Sequence, residues 1–323
     1  MDKKKVSVVM PVYNHEKYIK KAIQSVLSQK VNFDYELIIG DDCSTDESLK
    51  IINEFSGNEH VKIISREHNI SNAKIMNSLD LILKAKGEYV IILEGDDYWT
   101  DRGKLQKQVD FLDNHPSYIA CAHRFDIVNE QGEKYYDEDC LCQFWQKNPY
   151  GKKDFEKGYM ISHLNTILFR NSNKDMFLKD LFINIRVLVW DYLLNGYLIL
   201  NGKIHCIDKT MSVYRKVIDI KSSSYSSHME RINNRDVLFK EVILAEKMFN
   251  KKFSVDFTSR KKSAFASAVF KWYRDKNKMN FSVVLNDIRY SKQCIKYILY
   301  FVYLITSRCL LDLCGKKNVR VKF

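Results

Sequence analysis

The stretch KVSVVMPVYNHEKYIKKAIQSVLSQKVNFDYELIIGDDCSTDES, residues 5–48, decides the fold. Val6 to Tyr13 is an apolar run of the length expected for a strand buried on both faces. After it, Ile19, Ala22, Ile23, Val26 and Leu27 recur at three- and four-residue spacing, which lays one apolar stripe along a helix. The strand pattern returns at Tyr35 to Gly40. Ser44 with Glu47 three residues later then reads as a capping box that opens a helix carrying Leu49, Ile52 and Phe55. A strand–helix–strand unit with short connections brings its two strands together in parallel.

Working outward, the alternation continues. It predicts a strand at Val61–Ser65, a helix through Ala85, a strand at Tyr89–Leu93, a helix at Leu105–Asn114 and a strand at Ile119–Ala122. The fold class is therefore α/β, a mostly parallel sheet with helices on both faces. In such a sheet, ligands collect beyond the carboxyl ends of the strands. Tyr13 and Asn14 leave the first strand there, and Asp41 and Asp42 leave the second. The fourth strand, YVIIL at 89–93, runs into Glu94, Asp96 and Asp97. Three acids within four positions at the tip of a buried strand must either be dissolved in solvent or bind something positive. Helix caps account for any one of these turns, but less well for all three converging.

Two nucleotide-binding classes are disfavoured by what is missing. The first turn, PVYNHEKY, holds no glycine, so the dinucleotide fingerprint is absent, and no GxxxxGK[ST] occurs. A carboxylate cluster suits a hard divalent ion such as Mg2+ or Mn2+ bridging to phosphates.

With 323 residues, 46% of them hydrophobic, the chain has room for a large domain and an appendage, and 3 Pro and 11 Gly argue against disordered linkers. The net charge of +12 is unevenly placed: 21 Lys and Arg against 8 Asp and Glu lie from Met229 onward, and 31 against 32 before it. The basic segment points to an anionic partner of that part alone. Eight scattered cysteines without a CxxC pair, behind an MDKKK start that is no secretory leader, predict reduced thiols and a cytoplasmic protein, with zinc disfavoured.

Four ordered blocks carry a resemblance. They are SVVMPVYNHEKYIKKAIQSVLSQ, YELIIGDDCSTDES, GEYVIILEGDDYWTDRGKLQKQVDFL and WDYLLNGYLILNGKIHCIDKTMSVYR, spread over roughly residues 5–215. Together they resemble glycosyltransferase family 2, inverting sugar transferases of the GT-A fold, of the bacterial capsule and O-antigen polysaccharide type. The resemblance implies a metal-dependent transfer from a nucleoside-diphosphate sugar, a UDP-sugar by family habit, to a glycan or lipid-linked acceptor, with Mn2+ or Mg2+ as cofactor. It implies that Pro11, Val12, Tyr13 and Asn14 border the nucleotide base, that Asp41 accepts from base or ribose, and that Asp42 supports that turn. Glu94, Gly95 and Asp96 stand where the family keeps its DxD motif, so Asp96 is the implied metal ligand and Glu94 its helper. Asp97 would face the acceptor.

By the same resemblance, Asp191 is the implied general base, and Trp190 and His163, the latter with Asn165 or Thr166, are candidate acceptor contacts. Arg215 would clamp the diphosphate, and Lys74 and Asn77 lie on a helix that approaches the phosphates. Relatives often place a histidine two residues after the arginine, where this chain has Val217. Other readings stand beside these: Asp191 as a helix-start acid, His163 as a core histidine, and the Phe144, Trp145 and Tyr150 cluster as packing or as an acceptor wall. A sugar nucleotidyltransferase, or a non-catalytic binding protein of the same fold, is the alternative for the whole chain.

The expected division is a GT-A domain at 1–228 and a basic, all-helical segment at 229–323. IKYILYFVYLITSRCLLDL, 295–313, is too short between its charges to span a bilayer. Its basic flanks fit a helix lying on an anionic membrane surface, which would place the protein peripherally on the inner face of the cell membrane, or else a helix packed on the catalytic domain. No nucleic acid is expected as a partner.

Overall fold

The computed structural model describes residues 4–70, 75–134, 148–157, 161–171, 175–185, 190–217, 235–262, 264–266, 300 and 303, with backbone only at 75, 182, 190, 191 and 235–240. The chain forms two compact units. One comprises Met1–Phe155 with Tyr159–Arg231, the other Glu156–Gly158 with Ile232–Phe323.

The first unit is built on an eight-stranded sheet. In chain order its elements are β1 (Val6–Val12), α1 (Ile19–Leu27), β2 (Tyr35–Asp41), α2 (Ser48–Asn53), β3 (Val61–Ser65), α3 (Ile75–Lys84), β4 (Tyr89–Ile92), β5 (Tyr98–Trp99), α4 (Lys104–Asn114), β6 (Tyr118–Val128), α5 (Lys152–Glu156), β7 (Leu168–Arg170), α6 (Met176–Asn184), α7 (Trp190–Asn201) and β8 (Lys203–Arg215). The sheet order is β3-β2-β1-β4-β7-β6-β8-β5. β3, β2, β1 and β4 run parallel, and every residue of β1, β2 and β4 is buried. That is why those runs are continuously apolar rather than alternating. Ile19, Ala22, Ile23 and Val26 of α1 pack onto this sheet in the main core.

The second half of the sheet departs from a simple parallel alternation. β7 is antiparallel to β4 and β6, β8 runs parallel to β6, and the two-residue β5 is antiparallel to β8. Such short strands leave almost no periodicity in the sequence. The capping box is also absent. α2 begins at Ser48, and its first N–H groups are served by Asp46, whose Oδ1 accepts from Ser48 N at 2.9 Å. Ser44 is engaged elsewhere, its hydroxyl accepting from Asn14 N at 3.0 Å.

A polar cluster lies inside the second half. Lys104 is fully buried, its Nζ donating to Gln108 Oε1 at 2.7 Å and standing 4.1 Å from the centre of the Trp99 ring. Burial pushes its ammonium well below the usual lysine range. The unfolded chain therefore holds a proton that the folded chain binds poorly, so stability contributed here falls as pH drops from about 10.5 toward the depressed value. Lys104→Met is expected to remove this slope. In urea unfolding, the difference in stability between variant and wild type should shift in the variant's favour as pH is lowered from 9 to 7, and a constant difference would refute the assignment.

The second unit contains α8 (Arg235–Asn250), on which Val242, Ala245 and Phe249 are buried at helical spacing. Asn250 closes the helix by bonding both main-chain groups of Val255, accepting from N at 2.7 Å and donating to O at 3.2 Å. Lys261 then pairs with Glu246 at 2.7 Å. The predicted strand-free stretch VLFKEVILAEKMF is thus helical. Of the predicted helix SAFASAVFKWYRD only Ser263's neighbours up to Ala266 are described, and they are helical; the predicted surface helix at 295–313 lies outside the described residues apart from Tyr300 and Tyr303. Among the described residues, no helix is long and apolar enough to cross a membrane.

Candidate active site

The carboxyl end of β1 gathers the two acidic turns. Val12 O accepts from Asp42 N at 2.9 Å, and Pro11 O accepts from Gly95 N at 3.2 Å. The turns after β2 and β4 are therefore fastened on either side of one strand tip. Pro11 and Val12 are buried, and Tyr13 and Asn14 are half-buried. Asn14 takes a left-handed backbone, φ 57°, which asparagine tolerates. Its Oδ1 accepts from Thr45 N at 2.8 Å, His15 N donates to Ser48 Oγ at 2.8 Å, and Glu16 N donates to Asp46 Oδ2 at 3.0 Å. The first turn is thus laced to the second by side chains of the STDES segment.

Asp41 is fully buried. Its Oδ2 accepts from Ser44 N at 3.1 Å, whereas its Oδ1 is buried and has no hydrogen-bond donor. A carboxylate oxygen so placed carries a desolvation penalty of about 1–3 kcal/mol or more until a donor arrives. Asp42, by contrast, is part of the turn's own support. Its Oδ1 accepts from Ile70 N at 2.9 Å, and the Arg66 guanidinium lies 3.7 Å away. Asn77 is buried on α3, donating to Gly40 O at 2.8 Å and accepting from Arg66 Nη2 at 2.8 Å. Lys74 lies outside the described residues.

The turn after β4 is closed by Asp97 N donating to Glu94 O at 3.0 Å. Gly95 meets the wall of the first turn so closely that a Cβ would stand 2.8 Å from His15 Nδ1 and 3.1 Å from Val12 Cγ2. Only glycine fits without movement. Asp96 and Glu94 are half-buried, with Asp96 Oδ2 3.9 Å from His15 Nε2. Asp97 is buried. Its Oδ2 accepts from Asn165 Nδ2 at 2.7 Å and its Oδ1 from Arg215 N at 2.8 Å. Burial, with the charges of Asp96 and Glu94 beside it, holds the Asp97 carboxyl well above the usual carboxylate range.

His163 caps the 3-10 turn Leu164–Thr166 and stacks on Tyr214 with centroids 4.2 Å apart. Burial lowers its pKa to about 4, so the imidazole is neutral at physiological pH. Glu94, Asp97 and His163 present ligand atoms within 4.8 Å of one another, a set of donors that could hold a metal ion. Thr166 is buried, and its hydroxyl donates to His163 O at 2.6 Å. Arg215 spends its guanidinium on main-chain carbonyls, donating to Asp96 O at 3.2 Å, Asn129 O at 3.0 Å and Glu130 O at 3.1 Å, with its plane 4.3 Å from the Tyr18 ring centre. Trp190 and Asp191 open α7, with backbone alone described. Phe144 and Trp145 lie outside the described residues, and Tyr150 is buried.

The structure thus brings together Pro11, Val12, Asn14, Asp41, Asp42, Glu94, Gly95, Asp96, Asp97, His163 and Arg215 at one end of the sheet. It turns Asn77 toward Gly40 and Arg66 instead. Asn165 is the residue whose importance sequence reasoning underrated. It meets Asp97 across 68 positions, a pairing that no local pattern announces.

The sequence profile described as Glycosyl transferase family 2 matches residues 7–181, which contain both acidic turns and the 3-10 turn. The chain belongs to glycosyl transferase family 2. An uncharacterized protein of Mycobacterium tuberculosis is 32% identical over 213 residues, covering 65% of this chain and 58% of that relative. The chain therefore spans little more than half the length of the curated family members it matches over the longest stretch. TarS of Staphylococcus aureus, a poly(ribitol-phosphate) beta-N-acetylglucosaminyltransferase, is 32% identical over 116 residues, 36% of this chain and 20% of TarS. A crystal structure of a TarS fragment in complex with UDP-GlcNAc superposes with a TM-score of 0.59 and 20% identity over 93% of this chain and 81% of that one. The mannosyltransferase PcManGT of Pyrobaculum calidifontis, solved with GDP-Man and Mn2+, gives 0.52 and 16% over 98% and 89%. These likenesses show the GT-A fold of family 2.

Proposed function

We propose that the chain is a divalent-cation-dependent inverting glycosyltransferase that moves a sugar from a UDP-sugar to a glycan or lipid-linked acceptor in cell-surface polysaccharide synthesis. The observation that carries this reading is the fastening of two acidic turns to the tip of β1, with the buried, donorless Oδ1 of Asp41 on one side and Glu94 and Asp96 on the other. Oδ2 of Asp41 already accepts from Ser44 N, so Oδ1 is the oxygen without a donor. Uracil, like thymine, offers one ring N–H at its pairing edge, which fits a carboxylate oxygen, and the TarS fragment solved with UDP-GlcNAc supports uracil of the two. Guanine brings two adjacent donors, and cytosine and adenine present a ring acceptor there. Tyr13, half-buried on the same strand tip, is placed to border the base.

The oxygen donors of Glu94 and Asp96 fit a hard cation such as Mn2+ or Mg2+, and the closeness of Glu94, Asp97 and His163 supports a cation at this place. When bound, the ion neutralises charge that develops on the departing diphosphate. Asp97 supports the turn from behind, Arg215 ties the Asp96 carbonyl to the 129–130 loop, and Asp191 takes the proton of the attacking acceptor hydroxyl. UDP-GlcNAc in the TarS fragment, and GDP-Man with Mn2+ in the mannosyltransferase, support a donor and a cation at this end of the fold.

The test is nucleotide release from a panel of UDP-, GDP- and dTDP-sugars, with and without Mn2+. UDP release that requires the metal is expected. Release from none of them, or undiminished release after chelation, would contradict the reading.

A further inference from the structure

Asn165 joins its own turn to two segments far away in sequence, 97–99 and 212–213. Its side-chain nitrogen donates to Asp97 Oδ2 at 2.7 Å and to Val213 O at 3.1 Å, and its Oδ1 accepts from Ser212 Oγ at 3.0 Å. Its carbonyl accepts from the Trp99 indole at 3.1 Å, and its main-chain N donates to His163 Nδ1 at 3.4 Å. All of this lies in a buried setting, with Asn165 1% exposed. The Asp97 carboxylate and the Val213 carbonyl, both acceptors, fix which way round the amide lies, so the nitrogen is the atom that faces Asp97 and the oxygen takes the Ser212 hydroxyl. No other side chain of this size supplies two donors and an acceptor in one plane.

The consequence concerns the acidic turn. Its main chain is closed by Asp97 N to Glu94 O at 3.0 Å and tied to the β1 tip by Gly95 N to Pro11 O at 3.2 Å, while Arg215 Nε reaches Asp96 O at 3.2 Å. The Asp97 carboxylate adds the buried anchor, one oxygen accepting from Arg215 N at 2.8 Å and the other from Asn165 Nδ2 at 2.7 Å. The turn bearing Glu94 and Asp96 is thereby pinned to the end of β8, and of the two bonds that hold the Asp97 carboxylate, the one to Asn165 comes from a side chain. We infer that Asn165 is a positioning residue: through Asp97 it holds Glu94 and Asp96 in place for the cation, and so sets the affinity for Mn2+ and the donor. This rests on the function proposed above, and it assigns Asp97 to support where its sequence position suggested an acceptor contact.

The experiment is calorimetric titration of Mn2+ into the full chain saturated with UDP. It compares wild type, Asn165→Ala, Asp97→Ala, the double variant, and Val109→Ala as a buried truncation on α4. Asn165→Ala is expected to weaken Mn2+ about tenfold, the scale of one lost hydrogen bond to a charged group. The double variant should bind no worse than Asp97→Ala, because the two act through one bond. Val109→Ala should bind Mn2+ as the wild type does. Should Asn165→Ala fail to fold, Ser212→Ala removes only the hydroxyl that holds the amide oxygen and should weaken Mn2+ about threefold, as for a bond between neutral groups. Wild-type affinity in the Asn165 and Ser212 variants, or additive losses in the double variant, would overturn the inference while leaving the glycosyltransferase reading intact. No Mn2+ binding by the wild type with UDP present would overturn both.

Discussion

Asp191→Asn is expected to lower kcat by about 10²–10⁴-fold, the range over which a general base contributes, while the affinity for UDP stays within about twofold of wild type. An inverting displacement needs a group that takes the acceptor hydroxyl's proton as the bond forms, and asparagine cannot take it. The alternative role for this residue is electrostatic. Asp191 is the second residue of α7, where a negative charge stabilises the helix start by about 0.3–1 kcal/mol. That role predicts a small drop in thermal stability with turnover preserved. Single-turnover kinetics together with a melting curve separate the two, and loss of UDP binding together with turnover would remove Asp191 from the role of base.

The second large effect is expected at Asp96. Asp96→Ala should reduce kcat about a thousandfold, since the charge stabilisation lost at the leaving diphosphate is several kcal/mol, and about 4 kcal/mol corresponds to three powers of ten. Mn2+ affinity should fall in parallel. Asp97→Ala differs in kind. Its carboxylate is already held by Asn165 and the Arg215 main chain, so its loss acts through the placement of its neighbours and should be partly compensated by high Mn2+. An Asp96→Ala enzyme that kept wild-type turnover at saturating Mn2+ would place the cation elsewhere.

The parallel half of the sheet was legible because β1, β2 and β4 are buried along their whole length, and burial on both faces writes a continuous apolar run into the sequence. The acidic turns were legible for the converse reason, since charge at the end of such a run demands a physical cause. β5 and β7, of two and three residues, carry no readable period, and so the antiparallel pairings that complete the sheet were not apparent. The capping box misled because Ser44 serves the first turn rather than α2. A short hydroxyl can bond whichever N–H the tertiary fold brings to it. Arg215, which the family resemblance assigns to the diphosphate, donates to three main-chain carbonyls at positions 96, 129 and 130 that no local pattern announces. Asn165 shows the same limit most clearly, because its function consists of partners at positions 97, 99, 212 and 213.

The central claim is that the turns after β2 and β4 close on one nucleotide and one cation. A crystal structure of the chain soaked with UDP and Mn2+, with anomalous data collected at the manganese edge, tests it most directly. The account predicts a manganese peak against the Asp96 carboxylate and the diphosphate, with the uracil ring N–H within hydrogen-bonding distance of Asp41 Oδ1. A nucleotide bound away from Asp41, or manganese bound away from the Glu94–Asp97 turn, would contradict it.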